Sequence, residues 1–399
     1  HAASTYYFAP EEFKNNSLIV TLDGQGDGYF SKIFVAVENQ LIEVASSSSN
    51  DSLNLFYSAC TSALGFNANA DEGKLEALAS YSQSDRASNE FYGILQSLFR
   101  VNEKLEIELN ADTSFPFPDV RNHTPQIETW IRAKFKDVKS HDVAFGMQTF
   151  YEDFILAYIE KAKNKFGGDN LCVAGGGFAN VKLNKKIFES DLFDNFYIFP
   201  AMGDDGAALG ALILGHLECD DDINWLREVK MPFFGPEATE FEIASTLEFS
   251  AYPIKYQKIS TEMPEMLARD LYEGKLCALF QGKMEYGPRA LGHRSILANP
   301  LLPEIKNELN LKFKKREWFQ PFCPSILEIE RDRLFESAYQ NRHMTCAFQL
   351  KEEFVSKLPG IAHIDGTARA EFLSPTDEPI FYQVIEKFKE LSGFGVLLN

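Results

Sequence analysis

The sequence predicts an α/β fold built as two domains, on three observations. Residues 17–46 carry three β-rich runs, Leu18–Leu22, Ile33–Val37 and Leu41–Ala45, joined by short links rich in Gly, Asp and Asn. That spacing reads as an antiparallel meander. Two later units each run an apolar strand through a glycine-rich loop into a helix, the order that implies parallel strands. Around residues 218–236 the composition shifts, and 399 residues are enough for two ordinary domains.

The elements follow in chain order. After the meander, helical patterns dominate to about residue 166. The clearest is the apolar stripe Val143, Met147, Phe150, Phe154, Tyr158, whose spacing fits a core helix. Thr124-Pro125 reads as a cap and first-turn proline. The first strand–loop–helix unit is Leu171–Ala174, then Gly175-Gly176-Gly177, then a helix from about Asn180. The second is Phe196–Phe199, then Pro200 and Gly203-Asp204-Asp205-Gly206, then the helix Ala207–Leu217. A meander followed by such units is the order expected of the actin and sugar-kinase ATPase fold. The acidic run Glu218–Asp222 and the turn Met231-Pro232-Phe233-Phe234-Gly235-Pro236 mark a linker. The domains are therefore expected at 1–230 and 236–399.

Composition excludes several classes. Apolar residues make up 45% and charged residues 24%, so neither disorder nor a collagen-like fold fits. The net charge of −19 opposes binding to phosphate backbones, which argues against nucleic acid as the main partner. No apolar run is long enough to span a membrane. The six cysteines are scattered without a CxxC pair, as in a reducing cytoplasm, and no zinc spacing appears. The chain opens at His1 and stops at Asn399 straight after Gly395-Val396-Leu397-Leu398, an apolar run that reads as a buried strand. A domain rarely ends inside its core, so a piece of a longer protein is expected.

Several stretches carry chemistry. The loops at 174–180 and 203–210 hold Gly175, Gly176, Asn180, Gly203 and Gly206. Glycines let a backbone approach a phosphate, and the following helix N-terminus adds positive potential; tight packing is the plain alternative. Thr21–Gly28 sets Asp23 among glycines after a strand, where a carboxylate can hold a hard cation or simply make a turn. Residues 283–316 hold eight Lys/Arg against three Asp/Glu, a net +5, leaving −24 for the rest. Arginine forks suit phosphates, so a small phosphorylated metabolite fits this basic island better than a solvated face does. Lys314–Glu317, Pro321–Ser325 and His363–Arg369 are further polar loops between apolar runs.

The segment QGKMEYGPRALGHRSILANP at 281–300 resembles the signature of the carbamoyltransferase family that includes the nodulation-factor and antibiotic O-carbamoyltransferases. In family order the chain also carries HAAS at 1–4, TLDGQGDG at 21–28, DEGKLEALASY at 71–81, AGGGFANVKLN at 174–184, PAMGDDGAALGA at 200–211, KKREWFQPFCPS at 314–325 and HIDGTARAEF at 363–372. The resemblance implies an actin/sugar-kinase-like domain followed by a YrdC-like domain. It implies that the second forms carbamoyl-adenylate from carbamoyl phosphate and ATP, and that the first transfers the carbamoyl group to a hydroxyl of a small molecule or sugar. It further implies a bound metal, Fe²⁺ first, with Mg²⁺ accompanying ATP. His1, Asp23 and Asp204 match family metal ligands. Glu72 and Lys74 match an acidic–basic pair near the acceptor, a helix-surface ion pair being the alternative.

The same resemblance assigns the phosphates to Lys283, Arg289, His293, Arg294, Ser295, Arg316 and Arg369, with Asp23, Asp204, Arg289, His293 and Arg294 as the catalytic set. Family chains begin upstream, with a further histidine of the metal motif, and continue past Asn399, so truncation at both ends is expected. Leu-Ala-Ser-Tyr-Ser at 78–82 and Gly177-Phe178-Ala179 depart from the usual family residues and bear on the acceptor pocket. Two other classes remain open: a small-molecule kinase or ATPase of the actin/sugar-kinase type, and a degenerate nucleotide-binding module.

Overall fold

A computed structural model describes residues 1–110, 115–219, 222–259 and 262–399, so Asp220 and Asp221 of the acidic run lie outside the described residues. The chain forms two compact units, His1–Val229 and Lys230–Asn399.

The first unit opens with helix α1 (Ala2–Phe8). Strands β1 (Ser17–Gly26), β2 (Tyr29–Val37) and β3 (Gln40–Ser48) then form the antiparallel meander, β1 and β3 longer at both ends than the apolar runs suggest and β2 longer at its start. Helices α2 (Leu53–Ala63), α3 (Glu72–Ala79) and α4 (Glu90–Leu98) follow. The stretch read as helical also contains a hairpin, β4 (Phe99–Val101) with β5 (Ile107–Leu109). Its strands are three residues each, too short to show a period of two above the surrounding helices. Next come α5 (Thr124–Lys134), with its proline in the first turn, and the long α6 (Ser140–Phe166). On α6, Val143, Met147, Phe150 and Tyr158 of the predicted stripe are buried in the core.

Strand β6 (Asn170–Ala174) runs into helix α7 (Val181–Glu189), and β7 (Asn195–Ile198) into α8 (Asp204–Glu218). Both pairings are parallel, giving one five-stranded sheet in the order β3-β2-β1-β6-β7. Helix α8 begins three residues earlier than the apolar pattern indicates, because Gly203 is the N-cap and both aspartates lie in the first turn.

Gly175 closes β6 at φ +100°, and a Cβ there would sit 2.1 Å from the Leu22 carbonyl oxygen. Neither the dihedral nor the space admits a side chain. Gly175→Ala is expected to destabilise the first unit by about 3 kcal/mol or more, combining backbone strain with overpacking. Urea unfolding of the variant measures it.

In the second unit, helix α9 (Met263–Tyr272) leads to the hairpin β8 (Cys277–Phe280) and β9 (Arg294–Leu297). Strand β10 (Pro324–Leu327) is followed by the small ribbon β11 (Phe348–Gln349) with β12 (Thr367–Ala368). Strands β13 (Glu371–Leu373) and β14 (Val396–Leu398) flank β10, parallel and antiparallel respectively. Helix α10 (Pro379–Ser392) joins them and ends at Gly393, whose left-handed φ of +79° suits a glycine cap. Its buried Phe381, Val384 and Phe388 share a core with Ala268 and Leu271 of α9. Among the described residues no helix is long and apolar enough to cross a membrane.

Candidate active sites in the two units

In the first unit, three element ends converge. His1 is the N-cap of α1, Asp204 opens α8, and Asp23 lies where the β1–β2 register shifts between Leu22 and Gly26. The shift takes Asp23 out of the ladder and leaves its side chain free to face the other two. His1 Nε2 lies 2.9 Å from Asp23 Oδ2 and 3.7 Å from Asp204 Oδ1. One donor atom from each residue falls within 4.8 Å of the others. The chain therefore brings together the three residues that the resemblance marks as metal ligands.

The electrostatics fit a cation. The Asp204 carboxyl is raised from its ordinary value, first of all by the negative charge of Asp23. Burial alone would raise Asp23 too, but the His1 ring and the Gly24 N–H, 2.8 Å from its Oδ1, hold it low. Two carboxylates held this close repel unless a proton or a cation lies between them. One imidazole and two carboxylates are a donor set suited to a divalent first-row metal. His1 Nδ1 is buried without a hydrogen-bond partner.

The glycine loop lies against this cluster. A Cβ on Gly176 would stand 3.2 Å from Asp23 Oδ1, and one on Gly177 only 2.6 Å from the Tyr151 hydroxyl. Gly203 has open space around it at the α8 N-terminus, whereas a Cβ on Gly206 would meet the Ala201 carbonyl at 2.0 Å. Gly176 and Gly203 thus border the cluster, whereas Gly175, whose N–H donates to the Met202 carbonyl at 2.6 Å, and Gly206 serve close packing. Asn180 is committed elsewhere: it caps α7 through the Leu183 N–H and exchanges two hydrogen bonds with Gln148. Glu72 accepts from the Ser58 hydroxyl and the Asn69 N–H, each at 2.6 Å, while Lys74 pairs with Asp71 at 3.1 Å.

In the second unit, the basic loop connects β8 to β9. Three of its predicted phosphate ligands build the loop itself. Arg294 donates to the carbonyls of Gln281 (2.7 Å), His293 (3.0 Å), Pro236 (3.1 Å) and Gly282 (3.2 Å), and its guanidinium lies 3.7 Å over the Phe280 ring. Ser295 accepts the Gly292 N–H at 2.9 Å. His293 is buried, stacked on Phe233 at 3.8 Å and 5°, with Nδ1 on the Lys283 carbonyl and Nε2 2.7 Å from Glu378.

Both ring nitrogens of His293 face acceptors, so both bonds need the imidazolium. Burial opposes that charge, but Glu378, the Lys283 carbonyl and Glu285 outweigh it, and the pKa rises above 6.5. A raised folded-state value gives stability that is complete at pH below the unfolded value and lost as pH climbs through the folded one. The second unit should therefore melt at progressively lower temperature on the alkaline side. Glu378→Gln should move that loss to lower pH, a shift that melting curves from about pH 6 to about pH 9 would record.

Arg316 and Arg369 differ. Arg316 donates to Asn310 Oδ1 (2.7 Å) and the Pro321 carbonyl (3.3 Å) and stacks over Phe322 at 4.4 Å. The Arg369 Nε–H donates to Cys323 Sγ at 2.9 Å. Among the described residues neither forms an ion pair; burial and the neighbouring Arg369 work against the charge on Arg316, and the Glu317 carboxylate favours it. Half-buried guanidinium groups with no ion pair among the described residues suit an anionic ligand. Lys283 is exposed and Arg289 half-buried on the same β8–β9 loop.

Sequence reasoning missed Glu285, Glu378, Phe233 and Glu371. Glu371 pairs in register with Ser325, accepts its hydroxyl, and is pushed by burial well above the usual carboxylate range. The one available signal was an acid inside a basic island, at Glu285.

The family model described as Carbamoyltransferase N-terminus matches residues 1–213, and that described as Carbamoyltransferase C-terminus matches residues 268–399. The chain belongs to the carbamoyltransferase family. Uncharacterized protein MJ1058 of Methanocaldococcus jannaschii is 40% identical over all of this chain, which spans 66% of that protein. Nodulation protein NolO of Bradyrhizobium diazoefficiens is 31% identical over all of this chain, which spans 71% of it. Uncharacterized protein sll1178 of Synechocystis is 30% identical, with 69% of its length spanned. The three-residue cluster falls within the N-terminal family match, and the basic loop, Arg316 and Arg369 within the C-terminal one.

Proposed function

We propose that this carbamoyltransferase makes carbamoyl-adenylate in Lys230–Asn399 and transfers the carbamoyl group to a hydroxyl acceptor in His1–Val229. In balance, carbamoyl phosphate, ATP and water give carbamoyl-adenylate, pyrophosphate and phosphate. The acceptor alcohol then gives its carbamate ester, AMP and a proton. The observation that carries this reading is the pair Arg316 and Arg369, half-buried cations that form no ion pair among the described residues, inside a family motif. With Lys283 and Arg289 they would hold the phosphates and offset charge that builds up during adenylation. Arg294, His293 and Ser295 act by shaping the loop.

In the first unit, the backbone at Gly176 and Gly203 would take the adenylate phosphate, with the α8 N-terminus favouring its charge. His1, Asp23 and Asp204 would hold the metal, Fe²⁺ first. When bound, the metal supplies Lewis acidity toward the carbamoyl carbonyl or the leaving phosphate. Glu72 and Lys74 are assigned to the acceptor side. The acceptor is a small molecule or sugar, and the scattered, unpaired cysteines support a cytoplasmic setting. An actin- and sugar-kinase-like architecture for the first unit, and a YrdC-like one for the second, belong to this proposal.

Pyrophosphate release from ATP, with and without carbamoyl phosphate, tests it together with metal content. Release that depends on carbamoyl phosphate supports the reading. ADP formation independent of carbamoyl phosphate would replace it with a kinase or ATPase, and no turnover with nucleotide binding would point to a binding module.

A further inference from the structure

Glu285 lies inside the basic loop, where a carboxylate does not suit phosphate binding. It is 8% exposed, and a single oxygen, Oε1, accepts the N–H groups of Leu291 (2.8 Å), His293 (2.9 Å) and Arg294 (3.0 Å). Converging backbone N–H groups form a nest, a geometry that captures anions. Here the anion is the chain's own side chain. Its bonds close residues 286–290 into a ring of chain that carries Arg289, with Lys283 just before the closure. His293 fastens the same closure from the other side by donating to the Lys283 carbonyl.

We propose that Glu285 is the positioning residue of the second unit's anion site: it fills a backbone nest in place of a bound anion and so fixes the loop that presents Lys283 and Arg289 to the phosphates of carbamoyl phosphate and ATP. The inference rests on the adenylation reading above. The three N–H bonds compensate the carboxylate charge, so Glu285 keeps the nest from capturing a phosphate in the wrong place without repelling the substrate. Gln offers a carbonyl oxygen to the same N–H groups, whereas Ala vacates the nest and leaves three buried donors unpaired.

The test is carbamoyl-phosphate-dependent ATP–pyrophosphate exchange by the complete enzyme, with formate as the probe of the vacated nest. Glu285→Ala should raise KM for carbamoyl phosphate about tenfold or more while kcat falls less, and about 50 mM formate should restore most of the loss. Glu285→Gln should stay within about fivefold of the parent. A residue that only fills space would not respond to formate. An unchanged KM in Glu285→Ala, or a folded Glu285→Ala that formate does not improve, overturns the proposal. Should Glu285→Ala not fold, Glu285→Gln decides, and a loss beyond about a hundredfold in that variant overturns it. If the parent itself shows no exchange, the adenylation reading fails instead. The nest is then judged by melting: recovery of the Glu285→Ala melting temperature with formate supports it, and no recovery rejects it.

Discussion

Asp204→Ala is expected to lower carbamoyl transfer to the alcohol by about a thousandfold while leaving pyrophosphate release within about twofold. The asymmetry follows from where the residue sits. Asp204 opens α8 in the first unit, close to His1 and Asp23, whereas the cations assigned to adenylation all lie in the second. Its side chain is 93% exposed, so alanine removes little packing. The helix loses one first-turn acid, worth about 0.5 kcal/mol, and Asp205 remains in that turn. A folded protein lacking one donor of the cluster is therefore the expected product. Asp23→Ala is a poorer probe, since it also removes acceptors for His1 and the Gly24 N–H. Pyrophosphate release and mass spectrometry of the carbamoylated product, run side by side with a metal assay, separate the outcomes. Loss of both half-reactions would place adenylation outside Lys230–Asn399, and undiminished transfer would end the role of Asp204.

How much could be read beforehand depended on range in sequence. The meander was legible because alternation and Asp/Gly links are local. So were both strand–glycine–helix units, where Gly175 needs a positive φ that its neighbours also signal. The hairpin 99–109 was not, because strands of three residues carry no period of their own. Among site residues, sequence could say that Arg294 and His293 sit in a basic loop, but not what they face. The carbonyl of Pro236 that Arg294 meets is 58 positions away, and the Glu378 that His293 meets is 85. A cation that satisfies its own backbone and one that awaits a ligand look alike in a motif. Glu285 shows the converse: its partners are six to nine residues away, yet nothing in residue type alone says that an acid will take main-chain N–H groups.

That distinction sets apart two arginine substitutions expected to be equally damaging to adenylation. Arg294→Ala should lose it because four carbonyls from three stretches of chain lose their common donor and the ring of Phe280 loses its cover. Each hydrogen bond to the guanidinium is worth about 1.5–3 kcal/mol, so the melting temperature of the second unit should fall with activity. Arg369→Ala should lower kcat/KM for carbamoyl phosphate by about a hundredfold or more with little change in melting, since among the described residues its one hydrogen bond goes to Cys323 Sγ and it holds no ion pair. Lysine separates them further. At 294 it keeps a charge but cannot serve four carbonyls, so Arg294→Lys should behave like the alanine variant. At 369 it still presents a cation to a phosphate, so Arg369→Lys should retain about a tenth of the parental activity. Calorimetry and pyrophosphate exchange on the four variants decide this. Unchanged melting in Arg294→Ala with activity lost would return Arg294 to direct phosphate contact, and a large drop in melting for Arg369→Ala would make that residue part of the frame.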